Sequence, residues 1–245
     1  MPELVIFLDD GGVMNDNARR APQWRRLVGE YFAPRLGGAP DAWAEANFTM
    51  TTSLFAADAW LARLAVANSY ADFRRTYHCD WLGEMCVLVG VLAPSEAECL
   101  ALAQDAEEWI IGQVRAAFPG AADAIHTLYE RGYILHTASG EASAELNGYL
   151  TGMGVRECFD RLYGPDLLDC FKTGPEYYAR LLADAGVAPA DALIVDDSPQ
   201  VLGWAAEVGA RTMLVGGTAL ALDGQMLRIG SLAELPALLH QRVAS

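Results

Sequence analysis

The sequence predicts an α/β protein: a doubly wound parallel sheet interrupted near its start by an all-helical domain. Three observations carry that reading. Val5-Ile6-Phe7-Leu8 is a short apolar run that ends on Asp9, with Gly11 and Gly12 following at once. That is the pattern of a strand buried on both faces and closed by a turn. From Pro119-Gly120 onward, short apolar runs alternate with segments of helical texture, which implies βα units and a parallel sheet. Between these regions, about Asn17 to Phe118, the chain is helical in texture and shows no such alternation. A structureless loop of that length does not belong in a compact domain, so the segment reads as a domain of its own. The expected division is 1–16 with 118–245 as the α/β domain and 17–117 as the helical one.

The elements follow from local signals. Helical runs are expected at Asp41 to Ala46, Ala56 to Ala67 and Ser95 to Ala117, the last opened by Pro94 and the Ser95-Glu96-Ala97-Glu98 cap. In the second half, a helix from Ala121 to Arg131 is stopped by Gly132. A strand at Tyr133 to His136 runs into Thr137-Ala138-Ser139-Gly140, and a helix from Glu141 to Leu150 is broken by Gly152 and Gly154. A short strand at Asp160 to Tyr163, a loop carrying Lys172 and a helix from Pro175 to Ala185 come next. Leu193-Ile194-Val195 ends in Asp196-Asp197-Ser198-Pro199. A helix to Val208, a strand at Thr212 to Val215 and a helix near Leu232 to Leu239 close the chain.

Composition narrows the function classes. A chain of 245 residues with 53% hydrophobic content suits one sizeable core and a satellite. A net charge of −15 repels phosphate backbones and anionic lipid, so neither nucleic acid nor membrane is an expected partner. A small anionic substrate stays compatible, because a local cation overrides the far field. Five cysteines without CxxC spacing read as reduced thiols. No secretory leader pattern opens the sequence and the apolar stretch Met85 to Ala93 is too short for a bilayer, so a cytoplasmic protein is expected. Among 17 Lys+Arg, Lys172 is the sole lysine, a hint that a compact ammonium is wanted there.

Four polar groups stand where buried strands end or just beyond: Asp9, Thr137, Lys172 and the pair Asp196-Asp197. Ligands in open α/β sheets bind beyond the carboxyl ends of the strands. Two carboxylate sites on one rim repel unless a cation lies between them, and hard oxygen ligands suit Mg2+ together with a substrate phosphate. Thr137 offers a donor to a phosphoryl oxygen, and Lys172 offers a point charge. An aspartate beside a metal and a lysine suits covalent attack through an aspartyl phosphate. Taken singly, Asp9 would equally suit a surface turn.

The set resembles the haloacid dehalogenase-like hydrolase superfamily, with its four motifs in order: Asp9 with Gly12-Val13 and Asp16; Thr137; Lys172 with Gly174-Pro175-Glu176; and Asp196-Asp197-Ser198-Pro199 followed by Ala205-Ala206-Glu207-Val208-Gly209-Ala210. The resemblance implies a core of strand order 5-4-1-2-3 and a helical cap inserted after the first motif. It implies Asp9 as nucleophile, Thr137, Ala138, Ser139, Lys172 and Gly12 around the substrate phosphate, and Mg2+ on Asp9, the Gly11 carbonyl and Asp197, with Asp196 close by or acting through water.

One departure matters. Phosphatases of this kind carry a second aspartate two residues after the nucleophile, and here that position is Gly11. The carbonyl ligand survives, whereas the acid/base group does not. Asp10 is the obvious substitute, yet in extended chain it points opposite to Asp9. Three readings stay open: Mg2+-dependent phosphoryl transfer from esters with good leaving groups or with an acid borrowed from the cap, which the acidic pair favours; 2-haloacid dehalogenation, since a halide needs no proton; and a ligand-binding protein with weakened catalysis. A Schiff-base lysine in the cap, as in phosphonoacetaldehyde hydrolases, is ruled out because none exists between Asp9 and Pro119. In the expected cap, Arg19, Arg20, Arg25 and Arg26 are candidates for holding a substrate anion or are solvated helix charges. His78, Asp80 and Trp81 are candidates for supplying the missing proton or are packing residues. His136 is expected to face a neighbouring helix.

Overall fold

The structure is a computed structural model that describes residues 4–54, 56–216 and 227–243. The chain divides into two compact units, Met1–Asn17 with Arg115–Ser245, and Ala18–Val114.

The first unit begins with β1 (Val5–Leu8), whose four residues are all buried. The helices of the second unit intervene, and the chain then runs α6 (Ala121–Glu130), β2 (Ile134–Ala138), α7 (Ser143–Met153), β3 (Arg161–Tyr163), α8 (Pro165–Leu168), α9 (Pro175–Ala185), β4 (Ala192–Asp196), α10 (Pro199–Glu207), β5 (Arg211–Val215), β6 (Leu227–Ile229) and α11 (Leu235–Val243). The strands form one parallel sheet in the order β3-β2-β1-β4-β5-β6. The expected order of five is contained in it, and β6 extends the edge beyond β5. β6 was not expected, because three residues give too short a run for a strand period to register.

Strand alternation sorts the core into two layers. Ile6, Leu8, Leu135, Leu193 and Val195 pack with Ile125 and Leu128 of α6, Leu146 and Leu150 of α7, and Leu235 of α11. Val5, Phe7, Ala138 and Ile194 pack with Tyr177, Tyr178 and Leu181 of α9 and Leu202 and Ala205 of α10. Helices thus cover both faces, the arrangement that a run of consecutive apolar residues in β1 requires.

Several boundaries move from their expected places for local reasons. β2 runs on through Thr137 and Ala138, because Thr137 and Ala138 pair with Leu162 and Tyr163. Gly152 lies within α7, and the helix stops at Gly154, whose φ of +74° closes it in the left-handed region.

In the second unit α1 (Asn17–Leu36), α2 (Pro40–Leu54), α3 (Ala57–Val66), α4 (Tyr70–Val89) and α5 (Glu96–Ile111) account for the helical texture. α1 and α4 lie outside the helical runs expected above. α5 ends at Ile111, short of the expected Ala117. Glu98 caps its start, accepting from Ser95 N at 3.0 Å and Ser95 Oγ at 2.6 Å. An aromatic cluster forms the core: Phe32 stacks on Trp43 at 5.1 Å and meets Trp81 edge-on at 5.7 Å. All five cysteines are free thiols. Among the described residues no helix is long and apolar enough to cross a membrane.

Phe7 is fully buried in the central strand, 5.1 Å from the His136 ring and 6.3 Å from that of Tyr163. Phe7→Ala is expected to lower the unfolding free energy by about 3–5 kcal/mol, read by denaturant titration. A loss under about 1 kcal/mol would contradict the packing described.

Candidate active site

The register of the sheet builds the site. Leu8 pairs with Thr137 on one side and with Val195 on the other. The next residues, Asp9, Ala138 and Asp196, therefore stand level at the carboxyl rim, and period-two alternation turns all three toward the face covered by α9. Asp9 N donates to Val195 O at 3.0 Å, which holds the first residue past β1 in line.

Lys172 arrives on that face from the loop before α9. Its ammonium donates to Asp9 Oδ1 at 2.9 Å, Ala138 O at 2.7 Å and Asp196 Oδ2 at 2.7 Å. Those three bonds exhaust the three protons of an ammonium. The side chain is 8% exposed. Burial by itself pulls a lysine pKa down, but the charges of Asp9 and Asp196 outweigh it and hold Lys172 well above its ordinary value. Asp196 is raised as well, to about 6: burial raises it more than Lys172 lowers it, and Asp9 adds like-charge repulsion. Its second oxygen accepts from Ser198 N at 2.8 Å, so both oxygens of Asp196 are engaged.

Asp197 differs. It is exposed, and its pKa is raised by partial loss of water and by the neighbouring Asp9. Asp9, Asp196 and Asp197 each present a carboxylate oxygen, all within 4.8 Å of one another. Three carboxylates against one ammonium leave excess negative charge among hard oxygen donors. That donor set fits a divalent cation of the Mg2+ kind, with Asp9 and Asp197 the freer ligands. Gly12 makes room for it. Its φ is +81°, and a Cβ there would lie 1.9 Å from Asp197 Oδ2, so a side chain would drive that carboxylate aside.

The remaining residues of the first unit are placed as follows. Asp10 is fully buried and its Oδ1 accepts from Asn15 Nδ2 at 2.6 Å; it lies on the opposite face from Asp9, as alternation requires. Thr137 is fully buried, and its hydroxyl donates to Tyr163 O at 3.1 Å; level with Leu8 and next to Ala138, it points by alternation to the face opposite Asp9 and Lys172, so the expected contact of its hydroxyl with a substrate phosphate is not supported. Ser139 is also buried; its Oγ accepts from Glu141 N at 3.3 Å. His136 packs against Phe7 and, at 5.5 Å, Tyr163, with Nδ1 accepting from Arg161 N at 3.1 Å. Burial lowers its pKa, which suits a neutral packing residue.

Two residues were missed from sequence. Tyr178 is fully buried behind Lys172, and its hydroxyl has no hydrogen-bond partner among the described residues; burial above all drives its pKa up. Tyr177 reaches the carbonyls at the end of β2 and β3, 2.9 Å from Ser139 O and 3.3 Å from Tyr163 O. Their positions on α9, five and six residues past Lys172, were the available signal, but two apolar-bodied tyrosines on a helix read as core.

In the second unit His78 is buried beside Arg74 and Glu107, 3.1 and 3.2 Å away. Asp80 pairs with Arg63 at 2.7 Å, and Trp81 Nε1 donates to Asn47 Oδ1 at 2.9 Å. Arg25 pairs with Glu45 and Arg26 with Glu30, Arg20 is buried, and Arg19 is exposed.

A family model for haloacid dehalogenase-like hydrolases matches residues 16–209. The chain belongs to that family. Solved structures of the same fold include the L-2-haloacid dehalogenase from Xanthobacter autotrophicus (TM-score 0.63, 18% identity, 97% of this chain and 98% of that one). They also include a defluorinating L-2-haloacid dehalogenase (TM-score 0.67, 18% identity, 97% and 95%). A third is a predicted phosphoglycolate phosphatase from Haemophilus somnus 129PT (TM-score 0.61, 15% identity, 98% and 99%). At these identities the likeness is one of fold. No curated protein matches the sequence. Membership in the family makes the rim, with Asp9 at its centre, the candidate active site of a hydrolase.

Lys172→Met leaves Asp9 and Asp196 without their shared cation, and removal of one partner of a buried ion pair costs about 3–5 kcal/mol. An acid held above its unfolded pKa favours the fold at low pH and weighs against it as pH rises. The deficit of Lys172→Met is therefore expected to be largest at neutral pH and above and to shrink as pH falls toward the value of about 6 for Asp196, because without the ammonium that carboxyl takes up its proton at a still higher pH. Denaturant titrations at neutral and mildly acidic pH check this, and a deficit independent of pH would contradict it.

Proposed function

We propose that this hydrolase performs Mg2+-dependent phosphoryl transfer with Asp9 as the nucleophile, on a small anionic organic substrate. The observation that carries the reading is the juxtaposition of Asp9 with Asp197 and Asp196, their oxygens within 4.8 Å of one another, at the rim where Lys172 neutralises only part of their charge. Asp9, the Gly11 carbonyl and Asp197 would hold the ion, with Asp196 beside it. Bound there, Mg2+ supplies positive charge against the phosphoryl oxygens.

The chain's own groups do the following. Lys172 orients Asp9 through its hydrogen bond to Oδ1. The other Asp9 oxygen attacks phosphorus, a new P–O bond forms, and the bond to the leaving oxygen breaks, with its electron pair departing on that oxygen. Water then cleaves the aspartyl phosphate, restoring Asp9 and releasing inorganic phosphate. Ala138, Ser139 and Gly12 are assigned to the phosphoryl group; Thr137 is not, because it stands on the opposite face of the sheet. Because Lys172 has no proton left over, it acts as a charge rather than as a proton donor.

Gly11 brings no carboxylate, and Asp10 is held by Asn15 on the other face of the strand. Leaving groups that are stable without a proton, acyl and aryl phosphates, are thus the favoured class. The same absence favours a second reading, in which Asp9 attacks a carbon bearing a halogen and halide departs unprotonated. That chemistry has no use for the exposed Asp197.

A screen of acyl, aryl and sugar phosphates against 2-haloacids, with and without Mg2+, separates the two. Phosphate release that needs Mg2+ is expected, whereas Mg2+-independent halide release would replace this reading with the second. Mg2+-dependent beryllofluoride uptake is expected for wild type and lost in Asp9→Asn together with turnover. Uptake without turnover of any compound would mark a binding protein. Gly11→Asp is expected to raise turnover of aryl phosphates, by up to the ~10²–10⁴-fold that a positioned acid/base contributes. No gain in a folded variant that still binds Mg2+ would count against phosphoryl transfer.

A further inference from the structure

Lys172 carries its ammonium to three acceptors from a loop, and loops move more than the elements they join unless something ties them down. This one connects α8, which ends at Leu168, to α9, which begins at Pro175. Two tight turns shape it. Asp169 closes α8 at a φ of +41°, and among the described residues it is the only one with a side chain in the left-handed region. Thr173 N then donates to Phe171 O at 2.8 Å, which puts Lys172 at the centre of a three-residue turn.

The first turn is clamped from α9. Arg180 Nη1, with one proton for each, donates to Leu168 O at 3.2 Å and to Asp169 O at 3.1 Å. These carbonyls belong to the peptide planes before and after the Asp169 Cα, and only φ and ψ of Asp169 relate one plane to the other. A single nitrogen bound to both therefore fixes a conformation that a residue with a Cβ disfavours. The rest of the guanidinium is held as well: Nε and Nη2 donate to Glu176 Oε1, one turn earlier on α9, at 3.1 and 2.5 Å. The body of α9 packs on the sheet through Tyr177, Tyr178 and Leu181. The clamp thus ties the loop to the face on which Asp9 and Asp196 stand.

We propose that Arg180 is a positioning residue for Lys172: by holding Asp169 in its left-handed turn, it sets where the chain delivers the ammonium to Asp9, Asp196 and the Ala138 carbonyl. The inference concerns the placement of Lys172 and uses neither an ion nor a substrate, so it stands or falls separately from the phosphoryl-transfer reading. Without the guanidinium the strained turn relaxes more often, and Lys172 leaves its three acceptors more often with it.

Lys172 is the sole lysine of the chain, so full-length protein labelled with 15N-lysine carries one labelled side-chain ammonium. The test follows exchange of its protons with water by NMR, with the fold of each variant checked by circular dichroism. A protected ammonium signal is expected for wild type, and its absence would remove the three-acceptor seat and overturn the inference. Arg180→Met keeps the aliphatic stem and is expected to speed exchange about three- to tenfold, the range of one net hydrogen bond. Arg161→Met is the control for a general loosening of α9, because Arg161 pairs with Asp184 of the same helix at 2.6 Å; exchange at the wild-type rate is expected there. Equal acceleration in the two variants would assign Arg180 a merely structural role and overturn the inference, as would an unchanged rate in folded Arg180→Met. Should Arg180→Met not fold, Glu176→Ala takes its place, since it leaves the guanidinium present but removes the carboxylate that aims it. Faster exchange is expected in that variant, and the wild-type rate would overturn the proposal.

Discussion

The site depends on one ammonium with three acceptors. Lys172 joins the ends of three adjacent strands, β1 through Asp9, β2 through the Ala138 carbonyl and β4 through Asp196. No other side chain could do this as simply. An arginine fork presents five donors in a fixed plane, whereas an ammonium presents three around a point. A sequence that otherwise uses arginine throughout keeps a lysine at this position. Burial of that charge is unfavourable taken alone, and the two carboxylates are what make it tolerable. The dependence is mutual: the same charge offsets part of the repulsion between Asp9 and Asp196, and Asp197 is left as the exposed acid of the group.

Strand alternation decides which acid does what. Asp9 and Asp10 are adjacent in sequence and opposite in space. Asp9 meets Lys172, while Asp10 is buried with Asn15. Gly12 then bends the chain through a positive φ directly against Asp197, so the first and last motifs touch through a position with no side chain. The turn that carries no acid at Gly11 is the same turn that admits Asp197 to the cluster. The rim of this member of the haloacid dehalogenase-like family is therefore built on charge balance more than on a second aspartate.

The hydrogen-bonded layer behind the rim is continuous. Lys172 takes the carbonyl of Ala138, Tyr177 takes that of Ser139, and Thr137, Ser139 N and Tyr177 share that of Tyr163. These carbonyls lie at or just past the ends of β2 and β3. The polar ends of two strands are thus secured from α9 and the loop before it, and the apolar body of that helix packs the same face. Rigid elements hold the groups, which is the condition for a preorganised site.

Much was legible in the chain before any coordinates. The apolar run before Asp9, the alternation after Pro119 and the helical segment between were enough for the fold class, because burial on two faces and βα repetition leave marks in composition and period. Asp9, Lys172, Asp196 and Asp197 were legible as a set, since strand ends that bear acids and a solitary lysine are unusual in a mostly apolar context. Other features were settled in three dimensions alone. β6 is too short to announce itself, and the roles of Tyr177 and Tyr178 look like core packing until their hydroxyls are located. Which oxygen of Asp196 faces lysine, and where the Thr137 proton goes, depend on the register that pairs Leu8 with Thr137 and Val195. Register is a relation between strands distant in the chain, set by the packing of both faces at once, and no local pattern encodes it.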